Sequence, residues 1–265
     1  MNGRIDVFPL ETGLYRLVET DEAGRFTDSY LLTGADAALL LDTQRCPGKL
    51  YETVRALTDR PLEVVITHLH PDHFGPSTAD FLRAGVPVWV FREELEALAA
   101  FDPGAFPVRC DAEFGLRGLR EGQEFDLGGL RLRVLALTGH TPKGAMLLEP
   151  DRGWLFSGDA LGNRSFWMQV DGASSLETFA AELEAQLAVL QAVPRLRIFT
   201  GHGIGECWQG MDWAEAVLQT TKAIVRGAAC GHPAESRWPG TLCLDTPVFP
   251  EGYFYRAARV RAPRP

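Results

Sequence analysis

The sequence has no closely spaced pair of cysteines, no run of basic residues and no long apolar segment. Its five cysteines are an odd number, widely scattered and without a C-x-x-C pair, at positions 46, 110, 207, 230 and 243. This argues against a disulfide framework and against a cysteine-based zinc site. No apolar run approaches the ~20 residues that span a bilayer, and the start, MNGRIDVFPLETG, lacks the features of a secretory signal. We therefore expect a cytoplasmic protein with reduced thiols and no membrane partner.

Positive charge is scarce and dispersed, since the net charge is −9. Proteins that grip phosphate backbones usually show a basic patch. The arginines of the last ten residues, RAARVRAPRP, are typical of a surface strand and a frayed tail. A nucleic-acid partner is therefore not expected, and a small-molecule substrate is favoured. The oligomeric state is left open by the sequence.

Short apolar strands alternate with amphipathic helices, which indicates an α/β fold in one layered domain over residues 1–265. Continuous apolar runs predict buried strands at 37–41 and 62–67. Capping boxes at Ser77 and Ser174 predict two helix starts, and a further helix is expected over about 211–226. Residues 101–123 are expected to be loop with short strands. Residues 227–265 are expected to be a C-terminal extension, with packing that the pattern does not define.

Half of the six histidines lie in one hexapeptide at the end of the predicted strand 62–67. Side chains two apart in an extended segment point the same way, so His68 and His70 can share one metal ion. Pro71 bends the path, and Asp72 and His73 then face a neighbouring volume where a second ion could bind. Imidazole and carboxylate without thiolate suit Zn, Mn, Fe or Co. The hexapeptide HLHPDH therefore predicts a metal site.

Three further candidate ligands follow other predicted strands, where α/β proteins place their sites. They are His140 in Thr-Gly-His-Thr-Pro, Asp159 in Ser-Gly-Asp and His202 in Gly-His-Gly. Glycine beside each allows the backbone to approach an ion closely. His232, in a Gly-His-Pro turn, is interpreted as structural or solvated.

Through four ordered motifs, HLHPDH, TGHTP, SGD and GHG, residues 10–205 resemble the metallo-β-lactamase superfamily. The resemblance is to the glyoxalase II-like type with an all-His/Asp dinuclear site. It implies a four-layer αββα sandwich with the site at one sheet edge. It also implies that Asp42, which ends Leu-Leu-Asp-Thr, supports a metal ligand. Carried over residue by residue, the first metal would be held by His68, His70 and His140, the second by Asp72, His73 and His202, and both by Asp159.

The resemblance implies two divalent metal ions, zinc first, with iron or manganese as alternatives. A metal-bridging hydroxide would attack a small-molecule ester, thioester or lactone, and Asp72 would orient it and accept its proton. Lys143, in place of a glycine common in relatives, and the aromatic pair Phe166 and Trp167, expected in a loop, are candidate substrate contacts. The alternatives are a phosphodiesterase or nuclease of the same superfamily and an iron-dependent sulfur dioxygenase. Fold-level analogy does not choose among them.

Overall fold

The computed structural model describes residues 4–22, 24–45, 48–101, 116–203 and 208–260. The chain divides into two compact units, Met1–Val134 and Leu135–Pro265. The boundary falls inside the strand β9 (Arg131–Leu137). Within the described ranges, no helix is both long and apolar enough to cross a membrane.

Unit 1 is built on a seven-stranded sheet in which the strands follow one another in sequence order. The first four strands pair antiparallel, and the fourth to seventh pair parallel. The central strands are buried on both faces, as continuous apolar runs require. The strands are β1 (Arg4–Glu11), β2 (Leu14–Thr20), β3 (Phe26–Thr33), β4 (Ala38–Leu41), β5 (Leu62–Val65), β6 (Val88–Phe91) and β7 (Leu116–Leu119).

The helices of unit 1 connect its parallel strands. The apolar stripe of the first helix lies in the core through Leu50 and Val54, both with no exposed surface. A short strand, β8 (Glu124–Asp126), then pairs antiparallel with the start of β9. The helices are α1 (Lys49–Leu57), α2 (Thr78–Arg83) and α3 (Arg92–Phe101).

The predicted capping box at Ser77 is wrong, although α2 does begin at the next residue. Ser77 already has helical backbone angles, and its side chain makes no capping hydrogen bond. An effective N-cap residue needs extended backbone to reach the amides of the first turn. Asp80, the expected acidic partner, instead accepts a hydrogen bond from Gly48 N at 2.6 Å and pairs with Arg83.

A six-stranded sheet has the order β14-β13-β11-β10-β9-β8, and its strands from β10 onward belong to unit 2. Neighbouring strands β11 and β13 run parallel, so their carboxyl ends meet at one edge. A second sheet of the order β12-β17-β16-β15 follows. The strands are β10 (Gly144–Glu149), β11 (Trp154–Gly158), β12 (Phe166–Met168), β13 (Arg197–Thr200), β14 (Trp208–Gln209), β15 (His232–Pro233), β16 (Thr241–Thr246) and β17 (Phe249–Arg256).

Two helices, α4 (Leu176–Leu190) and α5 (Met211–Val225), cover the apolar core of unit 2. The predicted start of α4 is confirmed at Leu176, but the capping residue is Ser175, whose Oγ accepts from Thr178 N at 3.2 Å. Helix α5 agrees with the helix predicted over about 211–226.

Two segments of unit 2 are more regular than the sequence indicated. Residues 166–168, expected as loop, form β12, which pairs parallel with β17. Within the extension 227–265, strands β15 to β17 form an antiparallel arrangement that ends in a 3₁₀ turn, Ala257–Arg259. Of the expected loop 101–123, positions 102–115 lie outside the described residues.

Candidate functional site

The histidines of the hexapeptide follow β5, which ends at Val65, two residues earlier than predicted. His68 Nε2 and His70 Nδ1 lie 3.1 Å apart, while Leu69 between them is buried in the apolar core of unit 1. The alternation therefore places both imidazoles on one side, as the spacing predicted.

After His70 the chain turns sharply, as Pro71 predicted. His70 O accepts hydrogen bonds from the amides of His73 and Phe74, at 3.0 and 2.8 Å. The loop after β4 fastens this turn, because Thr43 donates to His73 O from both its amide and its hydroxyl. A segment thirty residues earlier in the sequence thus fixes the position of His73.

Asp42, at the end of β4, is buried and accepts three hydrogen bonds. They come from Thr67 N at 2.6 Å, Thr67 Oγ1 at 2.8 Å and His73 Nδ1 at 2.7 Å. The residue has φ of +64°, a conformation that Asp tolerates better than most side chains. A carboxylate can only accept, so Nδ1 of His73 carries the proton and, in the neutral ring, Nε2 carries the lone pair.

Asp72 forms an ion pair that the sequence analysis missed. Arg45 Nη2 lies 3.1 Å from Asp72 Oδ2, and both side chains are about four-fifths buried. The Arg45 amide donates in turn to Oε2 of the buried Glu19 at 2.7 Å. The only sequence signal for this arrangement is the place of Arg45, three residues after Asp42 in the same strand-end loop.

A second buried carboxylate braces the hexapeptide. Glu94, at the start of α3, accepts a hydrogen bond from Leu69 N at 3.1 Å, and only 3% of its surface is exposed. The amide between the two histidines is thereby satisfied by a side chain rather than by a neighbouring strand.

The three candidate ligands of unit 2 lie in loops after β9, β11 and β13. Asp159 Oδ2 is 3.3 Å from His202 Nε2 and 3.7 Å from His140 Nε2. The parallel pairing produces this proximity, because Gly158 is aligned with Thr200 and Gly201 N donates to Gly158 O at 2.9 Å. The structure therefore brings together all three residues predicted in this unit.

A backbone carbonyl group orients the His140 ring. Its Nδ1 donates to the carbonyl oxygen of Trp167 at 2.6 Å, which leaves the lone pair of the neutral ring on Nε2. The preceding Gly139 packs against Phe179 of α4 so closely that a Cβ would lie 2.5 Å from Phe179 Cδ2. Glu182 of the same helix accepts from Thr138 N at 2.8 Å.

The three candidate substrate contacts have different surroundings. Phe166 is buried, with its ring packed on Phe179, Phe249 and Tyr253. Trp167, the next residue in β12, is 45% exposed, and Lys143 is half-buried. Of these two aromatic residues, Trp167 is therefore the one whose side chain is exposed enough to contact a ligand.

Within each unit, the donor chemistry fits divalent metal ions. In unit 1 the ring nitrogens of His68 and His70 lie 3.1 Å apart, and in unit 2 the Nε2 atoms of His140 and His202 lie beside Asp159. Hydrogen bonds from Nδ1 to fixed acceptors set the tautomers of His73 and His140. Such outer contacts are characteristic of metal-binding histidines. No soft ligand is present in either set, which suits zinc, iron or manganese.

An α/β fold with imidazole and carboxylate side chains in the loops after its strands is typical of the metallo-β-lactamase fold. The family model of the metallo-beta-lactamase superfamily matches residues 23–202, more than half of the chain. The chain belongs to the metallo-beta-lactamase superfamily, and it is an enzyme of the hydrolase class.

Relatives and a solved structure agree with this placement. A hydroxyacylglutathione hydrolase of Legionella pneumophila (strain Corby) is 31% identical over 85% of this chain and 82% of its own length. An acyl-coenzyme A thioesterase, MBLAC2 of Bos taurus, is 29% identical over 53% of this chain and 60% of its own. A metallo-beta-lactamase from Pontibacter korlensis superposes with a TM-score of 0.64 and 18% identity, over 83% of this chain and 99% of the other. The predicted fold class is confirmed.

Proposed function

We propose that the seven predicted ligands form one centre for two divalent metal ions, with zinc as the first candidate. His68, His70 and His140 would hold one ion; Asp72, His73 and His202 would hold the other, and Asp159 would bridge them. The observation that carries the proposal is the hydrogen bond from His73 Nδ1 to the buried Asp42, because it prepares Nε2 as a metal donor. The same preparation recurs at His140. When bound, a metal pair activates water and polarises a carbonyl oxygen.

The substrate that we propose is a small-molecule thioester, with esters and lactones as the wider class. Two relatives support this choice: one is named for an acyl-glutathione and the other for acyl-coenzyme A, and both compounds are acyl-sulfur esters. The carbonyl chemistry is the same for all three substrate classes.

The protein's own contribution is orientation and proton transfer. Arg45 holds one carboxylate oxygen of Asp72, so that the carboxylate cannot rotate freely and is positioned to accept a proton at Oδ1 or Oδ2. Trp167 would offer an apolar wall to the acyl group and Lys143 a cation to an anionic part of the substrate.

The test combines metal analysis with a substrate panel. The purified chain is analysed for zinc, iron and manganese and assayed on thioester, lactone, β-lactam and bis-nitrophenyl phosphate substrates, before and after complete chelation. We expect at least two metal ions per chain, thioester hydrolysis that chelation abolishes, and recovery on adding metal back. Hydrolysis that survives complete metal removal would contradict the proposal. If the protein prefers the phosphodiester, or if it contains iron and oxidises sulfur, the proposed substrate class is wrong.

Single variants localise the activity. His70→Ala and His202→Ala, one from each unit, should each lower the rate by about 100-fold or more and reduce the bound metal. Arg131→Ala is the control, since Arg131 forms an exposed pair with Asp126 and should leave both quantities unchanged.

A further inference from the structure

A second group of metal-ligating side chains lies in unit 2, outside the seven ligands above. His232 of β15 is the cross-strand partner of Cys243 in β16. Asp245 lies two residues beyond Cys243, at the register shift between Leu244 and Thr246 that β16 shows against β17. The pairing of β15 with β16 and this irregular position bring an imidazole, a thiol and a carboxylate close together.

The three donors lie close enough together to surround one ion. His232 Nε2 is 3.2 Å from Asp245 Oδ2, and these atoms and Cys243 Sγ all lie within 4.8 Å of one another. Zinc bonds of about 2.0 Å to nitrogen or oxygen and 2.3 Å to sulfur place tetrahedral donors about 3.3–3.6 Å apart. The separation of the imidazole nitrogen and the carboxylate oxygen is already of this size.

His232 makes polar contacts through both of its ring nitrogens. Nε2 lies 3.2 Å from Asp245 Oδ2, and Nδ1 lies 3.3 Å from the carbonyl oxygen of Pro233. An ion bound at Nε2 would leave Nδ1 to donate to that carbonyl, which is the arrangement that metal-binding histidines usually show.

The sulfur atom of Cys243 is held at a defined place beside His232 and Asp245. Cys243 is only 7% exposed, and on its other side lies Gly252 of β17, where a Cβ would come within 2.5 Å of Sγ. Glycine at this position thus makes room for the sulfur. A buried thiol next to an exposed imidazole and carboxylate gives three donors of different softness, a combination that suits zinc.

We propose that His232, Cys243 and Asp245 bind one divalent transition metal ion of the zinc type, separate from the catalytic donor set. Nε2, the thiolate sulfur and a carboxylate oxygen supply three ligands, and the fourth position is open to water. On binding, the Cys243 thiol releases its proton to solvent. The ion would tie the two-residue strand β15 to β16.

Cobalt(II) is the probe, because a thiolate ligand gives a near-ultraviolet sulfur-to-cobalt charge-transfer band that imidazole and carboxylate ligands do not. The metal-free full-length chain is titrated with Co²⁺ alone. We expect a saturable band that corresponds to one ion per chain and is lost in Cys243→Ser. The band should need at least tenfold more Co²⁺ in His232→Gln and in Asp245→Asn.

Controls separate this site from other thiols and from the catalytic centre. Cys230→Ser removes the nearby exposed thiol and should leave the band unchanged. His232 and Asp245 side chains are 60% and 84% exposed, so their variants test the site even if Cys243→Ser folds poorly. Hydrolase activity should persist in both, which makes the proposal independent of the proposed function. Absence of the band, its persistence in Cys243→Ser, its indifference to His232→Gln, or its appearance only in large cobalt excess would each overturn the proposal.

Discussion

The two sets of predicted ligands, one in each unit, are held in different ways. In unit 1 four donors occur within six residues, and buried side chains from other segments fasten them, above all Asp42, Arg45 and Glu94. In unit 2 the donors are spread from His140 to His202 and are placed by strand register and by backbone contacts such as the Trp167 carbonyl.

This difference predicts which substitutions should disturb each set of predicted ligands. Where side-chain acceptors fix a ligand, replacing one polar group removes both stability and metal affinity. Where the backbone fixes a ligand, the sensitive positions are the glycines that allow close packing. Side-chain variants in unit 1 and glycine variants in unit 2 therefore test the comparison.

The largest effect is expected for Asp42→Asn. The amide keeps the size and the tolerance for positive φ, but its NH₂ group cannot accept from Thr67 or His73. We expect the free energy of unfolding to fall by about 3 kcal/mol and the metal affinity to fall at least tenfold. Chemical denaturation and metal titration measure the two quantities.

Asp28→Asn is the matched control in the same unit, because Asp28 is equally buried and pairs with Arg16 at 2.9 Å. It should lose stability and keep its metal affinity. If both variants lose metal alike, Asp42 acts through stability alone and the proposed support of His73 is wrong.

In unit 2 the corresponding variant is Gly139→Ala. Its new methyl group would meet Phe179 at 2.5 Å, which forces the loop carrying His140 away from α4. We expect a loss of about 1–3 kcal/mol in stability and a lower metal content. The double variant with Phe179→Leu should recover part of both.

Gly118→Ala provides the reference, since a Cβ at this position in β7 has nothing within 4 Å. Its stability should change by less than ~0.5 kcal/mol. An equally mild effect of Gly139→Ala would show that the packing against Phe179 does not position His140.

The strand-end positions of the ligands were predictable from the sequence, and the groups that brace them were not. Apolar runs that end in a polar residue locate Asp42, His68 and Asp159 at the ends of buried strands. The contacts of Arg45 and Glu94 join segments about 25 residues apart, and such pairings arise only from packing. A single sequence carries no pattern for them.

The aromatic pair shows the same limit. Phe166 and Trp167 have similar character in the sequence, but β12 pairs with β17, more than eighty residues later. Alternation along this strand buries Phe166 and exposes Trp167. Which of the two faces solvent depends on a strand that the sequence pattern did not reveal.

Arg45→Met is expected to have an intermediate effect on both activity and stability. The pair with Asp72 is about four-fifths buried, so its loss should cost about 1–2 kcal/mol. Without the guanidinium the Asp72 carboxylate can rotate, and we expect kcat to fall roughly tenfold with KM nearly unchanged. Steady-state kinetics and metal analysis of the same preparation provide both readouts.

Arg83→Met removes a surface ion pair with Asp80 of similar length, 2.9 Å, and should leave kcat unchanged. An unchanged kcat in Arg45→Met would show that Arg45 does not position the Asp72 carboxylate for catalysis. Arg45→Lys restores the charge without the planar fork, so partial recovery would show that charge and geometry both contribute.

The smallest effect is expected for Trp167→Ala, because it alters the surface beside the ligands rather than the ligands themselves. The Trp167 backbone still accepts from His140 Nδ1, so metal content and kcat should remain within about twofold. Loss of the exposed indole face should raise KM for an acyl substrate about fivefold, equivalent to ~1 kcal/mol. Phe8→Ala, which removes a comparably exposed ring on β1, should leave KM unchanged. If Trp167→Ala instead lowers metal content, the indole acts on the His140 loop, and the separation between backbone support and substrate contact in unit 2 fails.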